Sequence, residues 1–216
     1  METATVFEEM ERKEREAKNK RLVILLLVRP QDYGAKAILD NFNYMHYNTG
    51  SLCNVYAVGF GFGPGFEKQF SLFGKFKGIT QVNDSVWYYS DRAFYDLKLY
   101  LESILDWQYH GESTAIILQN DPEGIRSLDF HGAASIDLEC AIRRGFSFSR
   151  FMEELIHNVR TELENEQTTT NSIEYRIDVE RMAKEAFLNS HPLDSEEAEK
   201  MYHKCVKKIA PNWRYA

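Results

Sequence analysis

Three groups of residues have the types and spacing that chemistry needs. In the first, Arg29 and Asp32 follow one apolar run, and Asn120-Asp121 follows a later one. A guanidinium clamps a phosphate or carboxylate, while a carboxylate holds a metal or acts as a general base. In α/β sheets, ligands collect outside the carboxyl ends of the strands, so Arg29, Asp32 and Asp121 are expected to converge there. The second group is the string Gly59-Phe60-Gly61-Phe62-Gly63-Pro64-Gly65. Glycine at every second position lets the backbone approach a ligand and present successive N–H groups to an anion. A dinucleotide fingerprint needs its glycines between a first strand and a helix, whereas this string leads into irregular sequence and Pro64 lacks a donor. Gly74-Lys75 likewise lacks the Ser or Thr of a P-loop. In the third group, Asp129 and His131 are two apart, on one face of a strand. With Glu139 opposite they make an acid–histidine set for general-base or metal chemistry, or a polar cluster that blunts an exposed edge. The candidate catalytic residues are therefore Asp32, Asp121 and His131. The candidate ligand-binding residues are Arg29, Gly59, Gly61, Gly63 and Gly65. His157, His191 and His203 lack metal-ligand spacing, so no metal or cofactor is expected.

The elements that must position these groups are legible from periodicity. Thr5–Lys20 reads as a charged helix with each acid four residues before a base (Glu8–Arg12 through Glu16–Lys20), touching apolar surface only through Val6, Phe7 and Met10. Leu22–Val28 is continuously apolar, as a strand covered on both faces is, with parallel neighbours expected. A helix follows over Ala35–Tyr47, then a strand over Asn54–Phe60, a strand–helix–strand unit of right-handed sense. His46-Tyr47-Asn48-Thr49-Gly50 is capping chemistry at that helix's end. Gly59–Val82 has no sustained period and reads as a long loop. Ser85–Tyr89 is a short aromatic strand. Ser90 or Asp91 caps a helix with its stripe at Phe94, Leu97, Leu101, Ile104 and Leu105, and Thr114–Leu118 is a buried strand. Ile136, Leu138, Cys140 and Ile142 alternate with polar residues, an antiparallel strand pattern, paired with Leu128–Phe130 through a turn at His131-Gly132. Phe148, Phe151, Met152, Leu155, Ile156 and Val159 mark an amphipathic helix. Asn165–Ser172 is polar, a linker; Asp178–Asn189 and Ser195–Ile209 read as helices, with Asp194 and Glu197 at capping-box spacing. The implied organisation is a charged helix over 1–20, an α/β domain over 21–164, a linker over 165–172 and a helical appendage over 173–216.

Composition bounds the function. The 216 residues, 44% hydrophobic and 13% aromatic, are enough for one cored domain with an appendage. A net charge of −7 argues against nucleic-acid binding. No run is long enough to span a bilayer and no leader peptide is evident, so a cytoplasmic location and no membrane partner are expected. Three widely separated cysteines, without a C-x-x-C pair, imply reduced, buried thiols.

The expected fold class is α/β, with a mixed, mostly parallel central sheet flanked by helices and a C-terminal helical hairpin. The order strand, helix, strand, helix, strand, antiparallel strand, helix resembles a thioredoxin-like domain. The turn Pro30-Gln31-Asp32-Tyr33-Gly34 holds no thiol, and no proline precedes Thr114, so the resemblance implies a redox site lost or replaced. A flavodoxin-like doubly wound sheet explains the same elements. The charged first helix, the aromatic loop (Phe60, Phe62, Phe66, Phe70, Phe73 and Phe76) and a tail needing a surface point to an interaction or regulatory module without redox activity. Its expected partner is itself or another protein. The alternative is an enzyme or phosphate-binding domain, taking a small anionic ligand at the strand ends.

Overall fold

The computed structural model describes residues 1–17, 19–62, 78–167 and 177–212. It has a mixed α/β architecture: a six-stranded sheet flanked by helices, and a separate three-stranded sheet. In chain order the elements are β1 (Glu2–Ala4), α1 (Phe7–Arg15), β2 (Leu22–Leu27), α2 (Ala35–Leu39), α3 (Phe42–Asn48), β3 (Cys53–Val58), β4 (Phe60–Phe62), β5 (Gly78–Val82) and β6 (Ser85–Tyr89). They continue with α4 (Asp91–Ile104), β7 (Thr114–Asn120), β8 (Leu128–Asp137), α5 (Leu138–Ile142), α6 (Phe148–Gln167), α7 (Val179–Asn189), α8 (Ser195–Cys205) and β9 (Val206–Lys208).

The six strands lie in the order β1-β3-β2-β7-β8-β9. As its unbroken apolar run requires, β2 is central and every residue of it is buried. Leu22, Ile24 and Leu26 face the layer that holds α2, α3 and α5–α8, whereas Val23, Leu25 and Leu27 face α1 and α4. The expectation of parallel neighbours holds on one side only. β2 runs parallel to β3 (Leu22 beside Cys53) and antiparallel to β7 (Leu22 beside Gln119, Leu27 beside Thr114). The β7–β8 and β8–β9 pairs are also antiparallel, so the sheet is not mostly parallel. Burial on both faces is imposed by covering helices, and those leave the direction of the hydrogen-bond ladder open.

Other departures have local causes. The leading helix is shorter than its charge pattern suggested. Arg12 pairs with Glu16 and Lys13 with Glu2, while Glu14 turns inward, wholly buried, beneath Arg21. Lys18 lies outside the described residues. Asp40-Asn41 divides the expected Ala35–Tyr47 helix into α2 and α3. Part of the expected loop before Val82 is strand. β5 and β6 form a hairpin through Asn83 and Asp84, both at positive φ (47° and 60°), the conformation of a tight type I′ turn.

The period-two pattern through Ile142 breaks earlier than expected. Asp137 accepts a hydrogen bond from the Cys140 N–H at 2.8 Å, which caps α5 and ends the strand there. Leu128–Phe130 belongs to that same strand, not to a hairpin partner of it. Residues on both sides of His131-Gly132 pair with β7 across a register shift, with Gly132 at φ 80°. The last helix stops at Cys205, and Val206–Lys208 becomes an edge strand on β8. Residues 165–167 of the expected linker continue α6, and 168–172 lie outside the described residues. Val179, Met182, Ala186 and Phe187 of α7, with Met201 and Tyr202 of α8, are buried in the same core as β2. Among the described residues, no helix is long and apolar enough to cross a membrane.

Candidate functional site

The orientation of β7 separates the residues that were expected to meet. Arg29 and Asp32 sit beyond the carboxyl end of β2, beside the start of β7. Asp121 follows the carboxyl end of β7, at the opposite edge, where the Asn120 side chain accepts from the Arg21 N–H at 2.7 Å. The convergence of Arg29, Asp32 and Asp121 is therefore corrected: an antiparallel strand carries its end away from its neighbour's end.

Arg29 and Asp32 are themselves mutually satisfied. Asp32 accepts from the Arg29 backbone N–H at 3.0 Å and from Arg29 Nε at 2.9 Å, and Ser113 Oγ lies 3.4 Å away. The remaining Arg29 reach goes to the Gly111 carbonyl at 2.9 Å and over the Tyr109 ring. With its side chain only 2% exposed, Asp32 organises the turn after β2. The neighbouring phenols of Tyr89 and Tyr109 are pushed far above their ordinary range, chiefly by burial.

The glycine string is divided. Gly59 has φ 82°, and a Cβ there would stand 2.8 Å from the Phe94 Cβ and 3.0 Å from the Tyr89 ring. Its need for glycine is the close approach of α4. Gly61 lies in β4 opposite Tyr88, while Gly63 and Gly65 lie outside the described residues, as do Phe66, Phe70, Phe73, Phe76 and Gly74-Lys75. Phe60 is buried in the core, against Phe42 and Tyr89.

The acid–histidine set is divided too. Asp129 caps its own strand kink, accepting from the His131 backbone N–H at 2.8 Å, and also binds Gln119 Nε2 at 2.9 Å. Glu139 is on α5, paired with Arg143 at 2.7 Å, beyond the Asp137 end of β8 and not opposite His131. Among the described residues, no group of His, Cys, Asp and Glu is placed to hold a metal.

A different group does converge. Where β8 ends and β7 begins, two adjoining clefts of about 370 and 530 Å³ share Glu112, Asp137 and Lys204. Lys207 and Lys208 of β9 line the first, Arg143 and Arg144 the second. Hydrogen bonding to Asp137, then desolvation, pushes the Glu112 carboxyl up to about 7. The Glu112 carboxyl therefore keeps its proton into the neutral range. Lys208 is held by Glu180 at 2.6 Å, so the ammonium groups that line the cleft with the donating Glu112 carboxyl are those of Lys204 and Lys207, a combination suited to an oxyanion or to general acid–base work. Its cavity volumes lie within the usual range for small ligands, roughly 300–1,000 Å³.

Sequence reasoning passed over Glu112, Asp137 and the lysines. Asp137 at capping distance from Cys140, and the Lys204-x-x-Lys207-Lys208 cluster across the end of α8, were visible signals. What hid the site was its assembly from four elements, one of them the edge strand read as helix. No protein-family model matches this chain, and neither a curated protein nor a solved structure matches it.

Proposed function

We propose that this protein is a regulatory binding domain for a small anionic ligand, carried in the cleft between Glu112–Asp137 and Lys204–Lys207. The observation that supports this most is the carboxyl pair facing lysines at the edge of the sheet where β2 and β8 end. That edge is where α/β proteins place ligands, and a perturbed carboxyl within a cleft marks a functional site more often than a surface one does. The ligand class is a phosphate- or carboxylate-bearing metabolite. Two of the three surfaces that had suggested a partner protein are used within the chain: Phe7 and Met10 of α1 and the inner faces of α7 and α8 are buried; most of the third, the aromatic loop, lies outside the described residues.

The proposed fold relation is thioredoxin-like rather than flavodoxin-like. The order β2, α2–α3, β3, α4, β7, antiparallel β8, α6 supports it, since a doubly wound sheet would run β7 with β2.

The test is thermal unfolding with inorganic phosphate, citrate and adenosine mono- and diphosphate, at pH 6 and pH 8. A saturable rise in Tm is expected, larger at pH 6 where Glu112 keeps its proton, and lost in a Lys204→Glu/Lys207→Glu variant. No saturable shift with any of them, or the same shift in that variant, refutes the reading. A second reading, protein docking by a second copy of this chain or by another protein, is favoured by Phe62, Val86 and Tyr47, all exposed on and beside the small sheet. Light scattering behind size exclusion tests self-association.

A further inference from the structure

Cys140 and Cys205 are 65 residues apart in the chain, yet their sulfur atoms lie 2.8 Å from one another. The fold makes this meeting in two ways. The Asp137 cap fixes the start of α5 and with it Cys140, and α8 ends at Cys205, where the chain turns into β9 on the adjoining strand β8. A disulfide needs a sulfur separation of about 2.05 Å, so the two sulfurs stand within about 1 Å of bonding distance. The two thiols are unlike in setting. Cys140 is half-buried and lines the cleft with Glu139, Arg143, Arg144 and Lys204, which gives an oxidant an approach. Cys205 is buried, with Met201 Sδ at 3.6 Å, and its S–H donates toward Cys140 Sγ. Burial and the neighbouring Cys140 push the Cys205 thiol well above its ordinary range, so it keeps its proton.

We propose that Cys140 and Cys205 form an oxidisable dithiol, which a peroxide converts into an intramolecular disulfide joining α5 to the end of α8. The Cys140 thiolate attacks one peroxide oxygen; the O–O bond breaks, and the hydroxide released takes a proton to leave as water. The resulting sulfenic acid is attacked by Cys205 sulfur, which loses its proton as the S–O bond breaks and a second water departs. Two thiols are oxidised by two electrons, and one hydrogen peroxide is reduced to two waters. This is a modification site on the cleft wall, independent of which ligand the cleft takes. The third thiol, Cys53, is the internal control: it is fully buried beside Leu22, at the end of β2 remote from the cleft, and burial pushes its pKa up to about 12.

The experiment treats the full chain with a small molar excess of hydrogen peroxide, removes the peroxide, unfolds the chain in urea so that every remaining thiol is accessible, blocks those thiols with iodoacetamide, and maps peptides by mass spectrometry without reductant. The expected result is a cross-linked peptide containing Cys140 and Cys205, alkylation of Cys53 alone, and recovery of all three thiols after dithiothreitol. Cys53→Ser behaves as the parent, whereas Cys140→Ser and Cys205→Ser give no intramolecular link. The oxidised parent should also melt several degrees higher than the reduced one, and Cys140→Ser should show no such rise. If all three cysteines remain alkylatable, if Cys140 proceeds to sulfinic acid unlinked, or if the bond forms only between chains, the proposal is wrong. The mapping is done on the parent protein, so a poorly folding variant does not obscure the outcome.

Discussion

Glu14 and Arg21 form a two-pronged ion pair, Oε2 to Nε at 2.8 Å and Oε1 to Nη2 at 2.9 Å, with the carboxylate wholly buried. The same Oε1 accepts from Tyr56 OH at 2.7 Å and from Asn54 Nδ2 at 2.9 Å. One carboxylate of α1 thus ties the leading helix to β3 and to the entry of β2. Removing a single partner of a buried pair strands the rest, so Glu14→Ala should cost about 3–5 kcal/mol, read from the urea midpoint. Glu14→Leu with Arg21→Met should recover much of this, though not all, because Tyr56 and Asn54 still lose their acceptor. A loss below about 1 kcal/mol for Glu14→Ala would show that the network contributes little.

Asp32 and Asp121 should respond differently to truncation. Asp32→Ala removes the buried carboxylate that accepts from the Arg29 N–H and guanidinium, at a cost of about 2–4 kcal/mol. Asp121 contributes main-chain atoms to its turn, through its N–H to Ser127 and its carbonyl to Gly124. Asp121→Ala should therefore stay within about 1 kcal/mol of the parent in the same denaturation experiment. Equal losses would overturn this division of roles.

Gly59 and Gly50 separate steric from conformational cost. Both have positive φ, 82° and 54°, but only Gly59 has neighbours where a Cβ would stand. Gly50→Ala should cost about 1–2 kcal/mol for the left-handed backbone alone. Gly59→Ala adds overpacking against Phe94, worth about 1–3 kcal/mol more. Matched losses in Tm would show that α4 yields freely.

The raised pKa of the Glu112 carboxyl has a signed consequence. Because the folded state raises the Glu112 pKa from 4.5 to about 7, folding takes up protons between those values. Stability from this group is full below pH 4.5 and declines as pH rises through 7. Glu112→Gln, which keeps a donor and does not titrate, should flatten that fall. Burial lowers the His191 pKa from 6.5, which acts in the opposite sense: its contribution is present above pH 6.5 and declines as pH falls. Melting curves of the parent and Glu112→Gln from pH 4.5 to 8 decide the matter, and superimposable profiles would remove Glu112 from the account.

Much of the local structure was determined by sequence alone. The stripe Phe94–Leu97–Leu101–Ile104 gave α4 and its Ser90 cap, the Phe148–Val159 face gave α6, and Leu22–Val28 had to lie covered on both sides. Each is a periodicity written in a single contiguous segment and satisfied by any apolar surface. Tertiary structure alone decided that β7 runs against β2, that Val206–Lys208 is strand, and that Glu112, Asp137 and the lysines meet. A ladder forms in either direction with the same side chains outward, so residue type leaves direction open. That one choice carries Asp121 away from Arg29, and the closing strand β9 brings Cys205 to Cys140.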